Sequence, residues 1–254
     1  LIAIAHLVPA SGAKRIREHG RAIAAVGVAV HLGALIVSAL YSGYTPGFPE
    51  ALSATALGVM VAYAIVATGR VRSLGLILAP LAVVILGTSM VVPHRQVQAL
   101  AETGSSPWLP IHLGLIFAGF AGFTLSFGVG VLYLWVRKQL KAKKLVGLSR
   151  LPSLEVLDRI QFRSTLFGFI FLTLGIGAGG IWAAASLQEP WSLDPKVIFT
   201  LVIWAWYAIA LQVRLVAGWR GRWSALFSIV GFSGLVFSLM VFNFLVPGWH
   251  GYAG

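Results

Sequence analysis

Uncharged apolar windows of about 20 residues recur from one end of this chain to the other, the length that crosses a ~30 Å hydrocarbon layer as an α-helix. Residues 165–187 carry no charge, and neither do residues 197–211. Only 10% of the 254 residues are charged and 58% are hydrophobic, far too little charge to cover the surface of a soluble domain of this size. The fold expected is all-α: a polytopic membrane protein with about eight transmembrane helices in one domain covering residues 1–254. The windows are 1–13, 22–42, 51–69, 73–92, 109–137, 163–187, 197–217 and 224–246. The first is too short to span and reads as the end of an incomplete helix.

The charges order these windows. Seventeen of the nineteen Lys and Arg fall in alternate connecting segments: Lys14, Arg15, Arg17 and Arg21; then Arg70 and Arg72; then the run from Arg137 to Arg163; then Arg214, Arg220 and Arg222. The other segments hold only Arg95 and Lys196. The positive-inside rule makes the basic side cytoplasmic, so both termini are expected on the outer side of a prokaryotic-type plasma membrane. The net charge of +12 is then a topology signal facing lipid, and no nucleic-acid partner is implied. Trp108, Trp191 and Trp249 fall at the outer boundary and Trp135, Trp219 and Trp223 at the inner one, where tryptophan anchors a span. Residues 137–163 form a basic segment with Leu145, Leu148, Leu151, Leu154 and Leu157 at helix-like spacing. That pattern suits a short amphipathic helix on the cytoplasmic face.

There is no cysteine, so any metal chemistry rests on histidine. His112 opens the 109–137 window and His250 follows the last one, both on the outer side. "LQEPWSLDPKVIF" breaks the apolar pattern on that same side with Trp191 and Asp194. Two imidazoles beside indole rings suit an iron porphyrin. They also suit zinc, with Asp194 or His94 as a further ligand, a proton relay, or polar residues meeting water. Asp194 and Pro195 equally suit the N-terminus of a helix. His6 and His31 lie at similar depths inside the bilayer, open to reading as a second porphyrin site or as hydrogen-bonded helix partners. Gly175, Gly177, Gly179 and Gly180 make a smooth strip before Trp182, suited to close helix packing or to the approach of a flat macrocycle.

"WLPIHLGLIFAGFAGFTLSFGVGVLYLWVRKQLK", then "WSLDPK", "IWAWYAIALQVR", "GWRGRW" and "NFLVPGWHGY", resemble the cytochrome c assembly family, the CcsA/CcmC/HemX group. The resemblance runs from about residue 20 to the end. It implies haem, b-type and non-covalent, held at the outer face by His112 and His250 as axial ligands. Trp191 and Asp194 belong to the matching loop, and Trp182 and Trp249 complete the candidate binding set. It implies haem handling for cytochrome c biogenesis, with cytochrome c or haem-biosynthesis proteins as partners, rather than catalysis by this chain alone. The chain departs from the family's W-G-x-x-W-x-W-D-P-K-E loop at Leu187, Leu193 and Val197. It also has Gln212 where synthase members have a membrane histidine. Those departures point to the smaller HemX-like members, and to a second reading as a regulator or scaffold acting through protein contacts.

Overall fold

The computed structural model describes residues 10–41, 48–67, 69–91, 106–143, 151–187 and 195–244. They form seven α-helices: α1 (Ala10–Tyr41), α2 (Phe48–Val66), α3 (Gly75–Val91), α4 (Trp108–Lys141), α5 (Leu154–Leu187), α6 (Pro195–Val216) and α7 (Arg222–Phe244). A 3-10 turn, Gly69–Leu74, leads into α3. Helix is what an apolar chain must adopt in lipid, where every backbone N–H and C=O has to be satisfied within its own segment. Among the described residues five helical stretches are long and apolar enough to cross a membrane: Pro49–Val66, Val71–Val91, Trp108–Lys141, Leu154–Ala185 and Pro195–Val216. Ala24–Ser38 and Arg222–Ser238 are shorter apolar stretches among the described residues.

α4 is the spine of the bundle. It pairs along its length with α5 and also touches α2, α3 and α7. The α4–α5 pair is antiparallel and paved with glycine. A Cβ on Gly122 would sit 2.8 Å from the Gly168 backbone nitrogen, and one on Gly119 would sit 3.1 Å from that of Leu172. The two backbones are therefore in contact, the close approach that small residues permit between membrane helices. One apolar cluster, around Val59, Leu74, Leu78, Val129 and Leu157, joins α2, the 3-10 turn and α3 to α4 and the start of α5. A second, around Phe123, Leu172, Ile203, Tyr207 and Phe232, joins α4 to α5, α6 and α7. Phe123 and Tyr207 stack at its centre, 3.8 Å between ring centroids. Val83, Val84, Met90, Val202, Ile209 and Val230 are exposed, as side chains that face lipid should be.

Two boundaries differ from the expectation. The basic segment 14–21 is not a break, because α1 runs through it as one helix of 32 residues. The described ends of the run from 137 to 163 belong to the neighbouring long helices. α4 continues to Lys141 and α5 already begins at Leu154. Leu151 and Leu157 are 7% and 0% exposed and pack in the first core cluster, so these leucines face protein rather than lipid. Residues 144–150, with Leu145 and Leu148, and the start of the expected first span lie outside the described residues.

Candidate functional site

The antiparallel pairing of α4 and α5 sets which groups share an end of the bundle. At the basic end are the C-terminal turns of α4 with Lys138 and Lys141, the first turns of α5, and the connection from α6 to α7. At the other end are the first turns of α4 and the last turns of α5, and His112 lies there.

His112 is half-buried in the second turn of α4, and its Nδ1–H donates to the Gly175 carbonyl of α5 at 2.8 Å. That bond is possible because Gly175 and Gly179 have no side chains. A Cβ on Gly179 would come within 2.7 Å of His112 Nδ1, and one on Gly175 within 2.7 Å of Ile116 Cδ1. The ring therefore lies on a bare patch of helix made by two glycines four residues apart, the small-xxx-small signal of close helix contact. Gly177 has open space around it, so the strip is not one surface: alternate glycines face protein and the lipid side. The side that faces α4 is taken by Ile116 and His112.

A donor role for Nδ1 leaves the lone pair of a neutral imidazole on Nε2. A carbonyl that takes the other ring N–H is the usual partner of a metal-binding histidine, since it fixes tautomer and ring orientation. Trp182 stands three residues beyond Gly179, on the same helical face. It is 7% exposed, and its indole N–H finds no acceptor among the described residues. A buried N–H left without an acceptor is uncommon in a settled core. The second turn of α4 and the end of α5 thus bring together an oriented imidazole and an unused buried donor.

Of the other expected site residues, Trp191, Asp194, Trp249, His250, His6 and His94 lie outside the described residues. His31, on α1, is half-buried with its Nε2 2.9 Å from the Ser53 hydroxyl of α2. This is a polar pair between two membrane helices. Among the described residues no group of three or more His, Cys, Asp or Glu is arranged to hold a metal ion.

Sequence reasoning missed the site at the basic end. Asp158 on α5 takes two bonds from Arg214 on α6 and a third, at 2.7 Å, from the backbone N–H of Gly221. Gly218 and Gly221 have φ of +69° and +64°, a conformation glycine adopts without strain. They turn the chain sharply enough to present that N–H. The available signal was an acid, Asp158, among the bases of the 137–163 run and a lone arginine, Arg214, closing an apolar helix.

The family model described as cytochrome c assembly protein matches residues 19–250. The cytochrome c biogenesis protein CcsA of Prochlorococcus marinus (strain MIT 9215) is 30% identical over 167 residues, 58% of this chain and 54% of the relative. CcsA of Synechococcus sp. (strain CC9902) is 32% identical over 169 residues, covering 58% and 56%. CcsA of Thermosynechococcus vestitus is 37% identical over 107 residues, covering 42% and 34%. The chain spans about half the length of the relatives it matches. These relatives are bacterial, in keeping with a multi-pass protein of the plasma membrane. With the family model covering nearly the whole chain, the protein belongs to the cytochrome c assembly protein family.

Proposed function

We propose that this protein handles haem for cytochrome c biogenesis, holding it or handing it on at the outer membrane face. In this reading the end of the bundle with His112 is the outer one, as the charge pattern of the sequence suggests. The observation that carries the proposal is the 2.8 Å bond from His112 Nδ1 to the Gly175 carbonyl. It gives the imidazole the tautomer of an iron ligand and a carbonyl that holds the ring in place behind it. His250 is the proposed second axial ligand, and Trp191, Asp194, Trp182 and Trp249 supply aromatic walls and polar contacts. Haem is the cargo here, and the redox chemistry belongs to it. The chain's own residues bind, orient and shield it. Trp182 offers a buried N–H to an acceptor on the cargo.

The test is the visible spectrum of the detergent-purified protein with His112→Ala and His250→Ala. Each single variant should lose one axial ligand and pass from a six-coordinate to a five-coordinate or water-ligated spectrum. Added imidazole should partly restore it. If both variants keep the parent spectrum, these histidines are not the ligands, and a HemX-like regulator acting through protein contacts becomes the better reading.

A further inference from the structure

A helical hairpin that turns at a membrane surface needs only a short polar link. The link between α6 and α7 carries more. Trp219, Arg220, Arg222 and Trp223 fall within five residues, and all four are exposed. The turn that presents them is fixed. Gly218 and Gly221 hold their positive φ, the Gly221 N–H donates to Asp158, and Ser224 Oγ donates to the Trp219 carbonyl at 3.2 Å. A Cβ on Gly221 would run into the Tyr133 hydroxyl of α4, so the turn is pressed against the bundle. The two indoles pack on each other with centroids 5.0 Å apart, and the Arg222 guanidinium lies 5.5 Å from the Trp223 ring centroid.

The charge on this turn is not compensated. The acids at the head of α5 are both committed, Asp158 to Arg214 and Glu155 to Arg159. Among the described residues Arg220 and Arg222 make no ion pair. The indoles differ in the same way from those inside the bundle. Trp204 donates to Thr173 and Trp206 to the Phe227 carbonyl, whereas the Trp219 and Trp223 N–H groups have no acceptor among the described residues. Beside the turn the surface becomes apolar: Leu215 and Val216 at the end of α6 are 65% and 75% exposed, and Val230, two turns along α7 from Trp223, is 51% exposed.

We propose that the α6–α7 turn is a seat for an anionic phospholipid of the leaflet that meets the basic end. Arg220 and Arg222 take the headgroup phosphate, Trp219 and Trp223 lie at the level where an amphipathic ring bridges headgroup and hydrocarbon, and the acyl chains run beside Leu215, Val216 and Val230. The chemistry selects this occupant. A soluble anion would use the guanidiniums and leave the indoles and the apolar side chains idle. A zwitterionic lipid brings its own ammonium group, which two uncompensated guanidiniums repel. A protein segment lying along the apolar side chains would have to satisfy its backbone in hydrocarbon. The seat is independent of any haem at His112.

Native mass spectrometry of the full chain tests this, with equal amounts of phosphatidylglycerol and phosphatidylcholine added in detergent. The parent should retain phosphatidylglycerol in preference by about tenfold or more, the scale of two basic residues at an anionic surface. Arg220→Gln with Arg222→Gln should abolish that preference. Lys138→Gln with Lys141→Gln, which removes two exposed bases from α4 at the same end, should leave it intact. Thermal unfolding supplies the second readout. Without lipid the arginine variant should melt with the parent, since both side chains are exposed. Phosphatidylglycerol should raise the melting temperature of the parent and not of the variant, and inorganic phosphate should raise neither. Three results would each overturn the proposal. Equal retention of the two lipids by the parent would leave the patch to an acidic protein partner. An equal loss in the lysine variant would mean diffuse surface charge and no seat. Stabilisation by inorganic phosphate alone would mean a site for a soluble anion.

Discussion

The carboxylate of Asp158 and the guanidinium of Arg214 meet fork to fork, with Oδ1 accepting from Nη1 at 2.8 Å and Oδ2 from Nη2 at 2.7 Å. Their side chains are only 19% and 11% exposed. Arg214 also donates to Ser224 Oγ at 2.8 Å and lies 4.7 Å over the Phe162 ring. One pair thus ties the first turns of α5 to the end of α6 and, through Gly221, to the turn before α7.

Asp158→Asn should therefore destabilise the protein by about 2–3 kcal/mol, because it leaves a mostly buried guanidinium without its counter-charge. Arg214→Lys should cost less, about 1–2 kcal/mol: it keeps the charge but loses the planar fork and the ring contact. The double variant Asp158→Asn, Arg214→Met should lose less than Asp158→Asn and Arg214→Met added together. Thermal unfolding in detergent checks the order. Additive losses would mean that the pair is not coupled. The exposed Arg159–Glu155 pair, one turn apart on α5, should contribute too little to measure.

The glycines of α4 and α5 separate by what they face. Gly122→Ala would place a Cβ 2.8 Å from the Gly168 nitrogen and 2.9 Å from its Cα. Only backbone movement can relieve that overlap, so α4 and α5 must part, at about 1–3 kcal/mol. Gly177→Ala meets open space and should be neutral or stabilise by up to about 1 kcal/mol through helix propensity. The same unfolding measurement decides. Equal effects at the two positions would contradict the close packing of the pair.

How much of this could be read beforehand depended on whether the signal was local. Apolar length located α2, α3, α4, α6 and α7 within a few residues, and α5 at its C-terminal end, since burial in lipid is a property of each segment alone. Their ends were misjudged wherever charge began, at 14–21, at 137 and at 163. Lys, Arg and Glu are good helix formers, so a helix leaving the membrane loses hydropathy without losing its hydrogen bonds. Leucine spacing identified Leu151 and Leu157 as one apolar face but could not say whether that face meets lipid or protein. His112 was legible as a candidate. Its seat on Gly175 and Gly179 was not, because only the register of α4 against α5 brings residues 63 and more positions apart into contact. Asp158 and Arg214, 56 positions apart, were opaque for the same reason.

The orientation rests on charge counting and can be checked with the chain's own lack of cysteine. Ser106 and Lys143 flank α4 at its two ends. In intact cells Ser106→Cys should react with a membrane-impermeant maleimide, and Lys143→Cys should react only after the membrane is opened. The reverse pattern would put His112 on the cytoplasmic side, and the proposed outward haem site would fail with it.

The last prediction separates an oriented ligand from a merely present one. Gly179→Ala keeps His112 but sets a methyl group within 2.7 Å of its Nδ1 and 2.8 Å of its Cε1. The ring has to turn or lift from α5, and the Nδ1–H bond to the Gly175 carbonyl lengthens or breaks. If that bond fixes the imidazole for iron, the variant should lose about tenfold or more in haem affinity, the scale of removing a partner behind a metal ligand. Its spectrum should shift toward that of His112→Ala. Overall stability should fall by no more than ~1–2 kcal/mol, because the contact lies at a helix end and not in the middle of the α4–α5 pair. Gly177→Ala, on the same helix but facing away, is the control and should leave haem affinity as it was. Haem titration of the apoprotein, read beside thermal unfolding, distinguishes the two effects. An unchanged affinity in Gly179→Ala would mean that the bond to Gly175 serves packing alone.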